Sequence, residues 1–274
     1  MKKRKNRIYR ISLGISALLS LSSAVFVARP AAAAQVITVG ESGHTEKTAG
    51  PHQRKKEPVE PERFVLPEEA KVLVVVEGTD GSNCRVYAYE KEIQDNPQWT
   101  LRVDTTGILG HNGMSNHRTA GDKTTPIGVF QMNTPFGQAE PLEGFPENYI
   151  QVTEDYVWES ETNRLLEQSE KDGERVGTEA YAGYYDYVLD AGYNKNAVFA
   201  KGSALFLHCQ VEGAVGTAGC VGIPKEQMAD IMRLYGTYGD RACYIAQAPE
   251  GTFSLIYDSY GTNNGLSPEG NFEF

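Results

Sequence analysis

Cysteine is scarce in this 274-residue chain, with only four residues, at positions 84, 209, 220 and 243. None belongs to a C-x-x-C pair and no H-E-x-x-H occurs, so the ligand spacings that hold zinc are missing. The remaining candidates, His208, Cys209, Cys220, His111 and His117, show no such spacing, and no metal or other cofactor is expected. Positive charge is equally short in the body of the chain. Seven of the 26 Lys+Arg lie in residues 1–34 with none of the 36 Asp+Glu, which leaves 19 positive against 36 negative charges, a net −17, beyond residue 34. So acidic a body is a poor partner for phosphate backbones, and nucleic acid is excluded as a ligand. Apolar runs long enough to span a bilayer are also lacking outside one N-terminal stretch, which excludes a multi-span membrane protein. With 40% apolar residues, the chain is nevertheless globular rather than disordered.

What the N-terminus does contain is an address. MKKRKNRIYR is a basic segment, ISLGISALLSLSSAVFVA is moderately apolar, and RPAAAAQ places Ala32 and Ala34 where an A-x-A cleavage site needs small residues. Residues 1–34 are expected to be a secretory signal peptide, with an uncleaved anchor in the cytoplasmic membrane as the alternative. No Cys follows the apolar stretch to take a lipid. Either way the body is expected to be extracytoplasmic, secreted or membrane-anchored. Residues 35–67 mix both charge signs with Pro51, Pro58, Pro61 and Pro67 and carry no sustained apolar period, which predicts a flexible linker.

From residue 68 to 274 the pattern is that of a folded domain rich in strands. VLVVV at Val72–Val76 predicts a buried strand, while RVYAY at Arg85–Tyr89 and WTLRV at Trp99–Val103 alternate like half-buried ones. Further strands are expected at Gly128–Met132, Ala204–His208 and Cys243–Ala246. Leu165–Glu170 is a short helix candidate. Pro224–Tyr235 is a stronger one, with Met228, Ile231, Met232 and Tyr235 at i, i+3, i+4 and i+7 and Pro224 suited to the first helical position. The expected fold is mostly β, a β-sandwich or partly closed barrel with one or two packed helices.

One segment concentrates the chemistry. An apolar strand delivers His208, a Gly-rich loop follows, and Cys220 stands 12 positions on between Gly219 and Gly222. A thiol becomes nucleophilic as its thiolate, and an adjacent imidazole can take its proton. Flanking glycines let backbone N–H groups, those of Gly219 and Cys220, turn toward a developing oxyanion. Spacing alone equally admits a small buried Cys and a His hydrogen-bonded in place.

The run LFLHCQVEGAVGTAGCVGIP resembles the active-site signature of the L,D-transpeptidase catalytic domain family, the YkuD-like fold, in which a His precedes a Ser/Thr-x-Gly-Cys loop. Gly107–Met132 (GILGHNGMSNHRTAGDKTTPIGVFQM) resembles the glycine-punctuated turn and G-D-x-x-T-P-x-G-x-F of that family. YDYVLDAGYN, within 184–194, is similar to its Tyr-Asn segment. The resemblance spans roughly residues 70–247. It implies the transpeptidase type of β fold, Cys220 as nucleophile, His208 as general base oriented by a main-chain carbonyl, and the Gly219 N–H as oxyanion donor. It further implies substrate contacts from Thr217, Tyr193 and Asn194. The implied activity is exchange at peptidoglycan stem peptides in the cell wall. Cys220 would be acylated by a tetrapeptide with loss of D-Ala, then resolved by an amine to give a 3→3 crosslink or by water as an L,D-carboxypeptidase. A non-catalytic wall-binding protein is the alternative of a different class. The chain departs from the commoner family motif at Ala218, where His is usual, and at Gly222, where Arg is usual, so no Arg of this loop can hold a substrate carboxylate.

Gly121, Asp122, Thr125, Pro126 and Gly128 read as turn formers and Arg118 and His117 as solvated loop residues, while Tyr184, Tyr185, Tyr187 and Tyr193 form a local aromatic cluster. Cys209, adjacent to His208 on a strand, is expected on the opposite face. Cys84 with Cys243 is the first disulfide pair to consider in an oxidising space. Activity is expected to fall in acid as His208 protonates over its ordinary range.

Overall fold

The computed structural model of the protein describes residues 59–92 and 98–261. The expected signal peptide, residues 35–58 of the expected linker and the last stretch of the body, 262–274, lie outside the described residues. Fifteen strands are seen among the described residues. The first five are β1 (Val72–Gly78), β2 (Asn83–Lys91), β3 (Trp99–Ile108), β4 (Met114–Ser115) and β5 (Thr125–Pro126). The next five are β6 (Gly128–Gln131), β7 (Asn133–Gly137), β8 (Ile150–Gln151), β9 (Tyr156–Glu159) and β10 (Arg164–Glu167). The last five are β11 (Gly173–Glu174), β12 (Val188–Asp190), β13 (Phe206–Cys209), β14 (Val221–Ile223) and β15 (Cys243–Pro249). One α-helix, α1 (Lys225–Tyr238), joins β14 to β15. The architecture is mostly β, as the strand signals imply.

Ten strands form one large curled sheet in the order β6-β15-β1-β2-β3-β14-β13-β12-β7-β8, with a three-stranded sheet β10-β9-β11 and a two-stranded one, β4-β5, beside it. The apolar run of β1 has a direct cause. Val72, Val74 and Val76 enter one core cluster with Met228, Ile231, Met232 and Tyr235 of α1, while Leu73 and Val75 enter a second with Phe64, Phe253 and Ile256. A strand buried on both faces cannot alternate with polar residues. β1 runs parallel to β15, Val72 opposite Cys243, and antiparallel to β2, Gly78 opposite Cys84.

Four expectations change. Leu165–Glu170 is not a helix: Leu165 lies in β10, opposite Trp158 of β9, because its two leucines are adjacent and give no helical stripe. Pro224 caps α1 from outside instead of occupying its first position, its carbonyl accepting from Met228 N (3.0 Å). The packed body starts before residue 68, since Phe64 is buried edge-on against Tyr257 (centroids 4.8 Å). Finally, Cys84 and Cys243 flank opposite ends of β1, about 20 Å apart at the rise of a strand, far beyond disulfide reach, and all four cysteines are free thiols.

Candidate active site

β13 and β14 run parallel, His208 opposite Gly222 and Leu207 opposite Val221. Continuing that register puts Cys220 across from Phe206, and the two-residue period then turns Cys220 and His208 to the same face of the sheet. Both line one cavity of about 840 Å³, within the range of small-ligand sites. A Cβ at Gly222 would sit 3.4 Å from His208 Cε1 and 3.2 Å from Ile108 Cγ1. A side chain at position 222 would thus crowd Ile108 and touch the edge of the imidazole. Cys209 faces the other way, toward the Tyr187 carbonyl (3.7 Å), as strand alternation requires.

The ring of His208 is held by main chain. Nδ1 lies 2.7 Å from Cys209 O, and since a carbonyl only accepts, Nδ1 carries the proton and Nε2 the lone pair. Burial pushes the ring's pKa down to about 4, against the opposing pull of the Cys209 and Tyr184 backbone. The edges of Tyr185 and Tyr184 flank it, centroids 5.4 and 6.4 Å away. The Cys220 thiol donates to Ala204 O (3.3 Å) and accepts from Phe206 N (3.4 Å). Burial first, and then the Glu174 carboxylate, push it up to about 12, while Phe206 N–H and Arg118 pull it down. Near neutral pH the thiol and the imidazole are thus both uncharged, not a preformed thiolate–imidazolium pair, and the ring titrates near 4 instead of in the ordinary His range.

The loop that presents Cys220 is tied down at both ends. Thr217 Oγ1 donates to Cys220 O (2.7 Å) and accepts from Gly219 N (3.0 Å). The Gly219 N–H expected in the oxyanion hole is therefore engaged by Thr217, and Thr217 itself fixes the loop. Thr217 N and O also bond Leu109 O and His111 N (2.9 Å each), and Thr125 Oγ1 donates to Gly219 O (2.9 Å). Gly219 has φ +135°, and a Cβ there would collide with the Arg118 guanidinium, so only glycine fits. The turn formers of the 110–126 segment are thus the support of the Cys loop. Within it, burial would raise the Asp122 carboxyl, but the amides of Thr119 (2.6 Å) and Thr124 (2.9 Å), the Thr124 hydroxyl and Arg118 hold it below the usual range.

Of the other expected contacts, Asn194 lines the cavity, but its amide is spent on the loop. It donates to Gly202 O (2.7 Å) and Val198 O (3.2 Å) and accepts from Val198 N (2.9 Å). Tyr193 does not line the cavity; its ring packs edge-on against Phe130 (5.6 Å). The tyrosine cluster divides likewise, Tyr184 and Tyr185 at the cavity and Tyr187 against Phe145 (5.0 Å) and Lys225.

Three residues that sequence reasoning passed over or set aside matter most. Arg118, expected in solvent, is 4% exposed and lines the cavity, with its Nη1 on Thr124 O and 3.6 Å from Asp122 Oδ1, and its buried Nε without a partner. His117, next to it, is exposed. Asn163 is a buried hub: it accepts from Trp158 Nε1 (2.7 Å) and Ala204 N (3.1 Å) and donates to Tyr193 O (2.9 Å) and Asn194 O (3.1 Å). It thereby joins the three-stranded sheet to both ends of the cavity loop. Glu174 reaches the cavity from β11. No local pattern marks any of the three, since the residues around the cavity that they serve, Gly219 for Arg118, Tyr193 and Ala204 for Asn163 and Cys220 for Glu174, lie at least 30 positions away in the chain. Compared with protein-family models, curated proteins and solved structures, the chain gives no match.

Proposed function

We propose that the chain is an exported peptidoglycan L,D-transpeptidase with the β fold of that catalytic domain, acting by acyl transfer through Cys220. The observation that carries this reading is that Cys220 and His208, at adjacent parallel strands, line the same ligand-sized cavity, the thiol resting on Ala204 O rather than on the ring. The sequence resemblance supplies the substrate class. When a stem tetrapeptide enters, its third-residue carbonyl meets Cys220. The thiol proton, resting on Ala204 O, passes to His208 Nε2 as sulfur forms the C–S bond. Collapse of the tetrahedral intermediate breaks the C–N bond, the imidazolium returns the proton to the departing D-Ala amine, and a thioester remains. An acceptor amine then attacks, gives its proton to His208, and the thiol is restored as the new amide forms. The oxyanion is assigned to Cys220 N–H, because the Gly219 amide is held by Thr217. The main-chain carbonyl of Cys209 orients the base, so no acidic third member takes part.

Incubation of the purified protein with a stem tetrapeptide should give an intact-mass adduct on Cys220 equal to the tripeptide acyl group, absent in Cys220→Ala. A folded, reduced sample that gains no mass would reject acyl transfer and favour a wall-binding role.

A further inference from the structure

Charged side chains on the cavity surface come from separate walls. Arg118 arrives from the 110–126 segment beneath the Cys loop, whereas Glu161 and Glu174 arrive from the three-stranded sheet and its turn. The carboxylates differ in how their charge is met. Glu161 pairs with Lys171 (3.4 Å), as Glu159 does (3.0 Å). Elsewhere Asp186 has Lys225 (2.5 Å) and Glu90 has Arg102 (2.6 Å). Glu174 makes no ion pair among the described residues. It accepts from the phenol of Tyr185 and from that of Tyr181, whose rings stack in parallel at 4.5 Å. Two hydroxyl donors hold a carboxylate in place as an acceptor without cancelling its charge. Tyr185 in turn packs on His208, which fixes this carboxylate relative to the base. Burial makes an uncompensated carboxylate unfavourable here, and its charge raises the pKa of the Cys220 thiol. A cationic ligand group would relieve both penalties at once.

We propose that Glu174 is the receptor for a primary ammonium of the ligand, so that the cleft selects substrates carrying a free amine beside the reacting carbonyl. This rests on the acyl-transfer reading and adds a specificity residue to it. The ammonium can belong to the side chain of the acyl donor or to the incoming acceptor, and the test separates the two. Equilibrium binding of a stem tetrapeptide and of its side-chain N-acetylated analogue is measured by calorimetry on the Cys220→Ala protein, where no chemistry intervenes. The free-amine peptide should bind at least about 10-fold more tightly, the gain of one charge-assisted hydrogen bond. Glu174→Gln in the same background should reduce the ratio to about 1, with Glu174→Asp restoring part of it. If the ratio is already about 1 before that change, but Glu174→Gln in the active protein lowers transfer to an amine relative to water about 10-fold, the ammonium is that of the acceptor. If Glu174→Gln changes neither ratio, the assignment is overturned. Binding selectivity without any acyl adduct in the unaltered protein would remove the transpeptidase reading and leave the ammonium site standing. An adduct with unchanged ratios would do the reverse.

Discussion

β1, inside the large sheet, and the loop 194–204, which lines the cavity, are held by different forces. β1 is apolar on both faces, with Val72 to Val76 fully buried, and its backbone is satisfied by two neighbouring strands. The 194–204 loop buries little apolar surface and turns through Asn194, Ala197, Ala200 and Ala204, four of the eight non-glycine residues with positive φ among those described. Each such residue pays a conformational cost that only surrounding hydrogen bonds can offset. The comparison teaches that the sheet centre sets stability through packing, whereas the cavity wall depends on a few buried amides that cannot be replaced by apolar groups.

The comparison can be sharpened at four points, beginning with the largest effect. His208→Gln should lower the rate of acyl-enzyme formation by about 10²–10⁴-fold, measured by quenched intact mass, with the melting temperature little changed. Equal rates in the two proteins would show that another group takes the thiol proton. Asn163→Ala leaves Trp158 Nε1–H and Ala204 N–H without acceptors and puts alanine at φ +53°. It should cost about 3 kcal/mol in chemical denaturation and slow acylation as well. Val74→Ala in the sheet centre should cost about 2 kcal/mol, yet leave acylation per folded molecule within about twofold. An acylation defect there as large as that of Asn163→Ala would erase the distinction between the two regions.

The smallest effect is in pH. With His208 depressed to about 4, kcat/KM should be flat from about pH 5 to 8 and fall with a midpoint near 4. A midpoint near 6.5 would mean that the ring is solvated and not buried. The corresponding stability sign follows from a ring that binds its proton more weakly when folded. Its contribution is complete above the unfolded value of about 6.5 and is lost as pH falls toward 4. Asp190 acts oppositely: burial raises it to about 7, so its contribution is present below about 4 and is lost as pH rises toward 7.

Much of the fold was readable beforehand where a period was imposed by burial. The run 72–76, the alternation of 85–89 and the stripe of Met228, Ile231, Met232 and Tyr235 each report a face that meets the core. The opposite orientation of Cys209 and His208 is a consequence of strand geometry alone. At 165–170 two adjacent leucines carry no period, and pairing with β9 decided for a strand. The candidate site was readable only along its own segment: His208, Cys220 and Thr217 lie within 13 residues, Thr217 bonds the Cys220 carbonyl, and all three line one cavity. Tyr193, attached to the same pattern, packs elsewhere because its side of β12's exit belongs to Phe130.

By itself the sequence determined the buried strand β1, the apolar stripe of the helix and the nearness of His208 and Cys220 in the chain, because those properties depend on residues a few positions apart. Only the tertiary structure decided that Arg118 is buried beneath Cys220, that Asn163 joins two loops and that Glu174 faces the same cavity. These depend on the order of strands in the sheets, which brings together residues from 30 to about 100 positions apart. Only that assembly, too, strips water from the thiol and the imidazole and so sets the protonation state from which any chemistry must start.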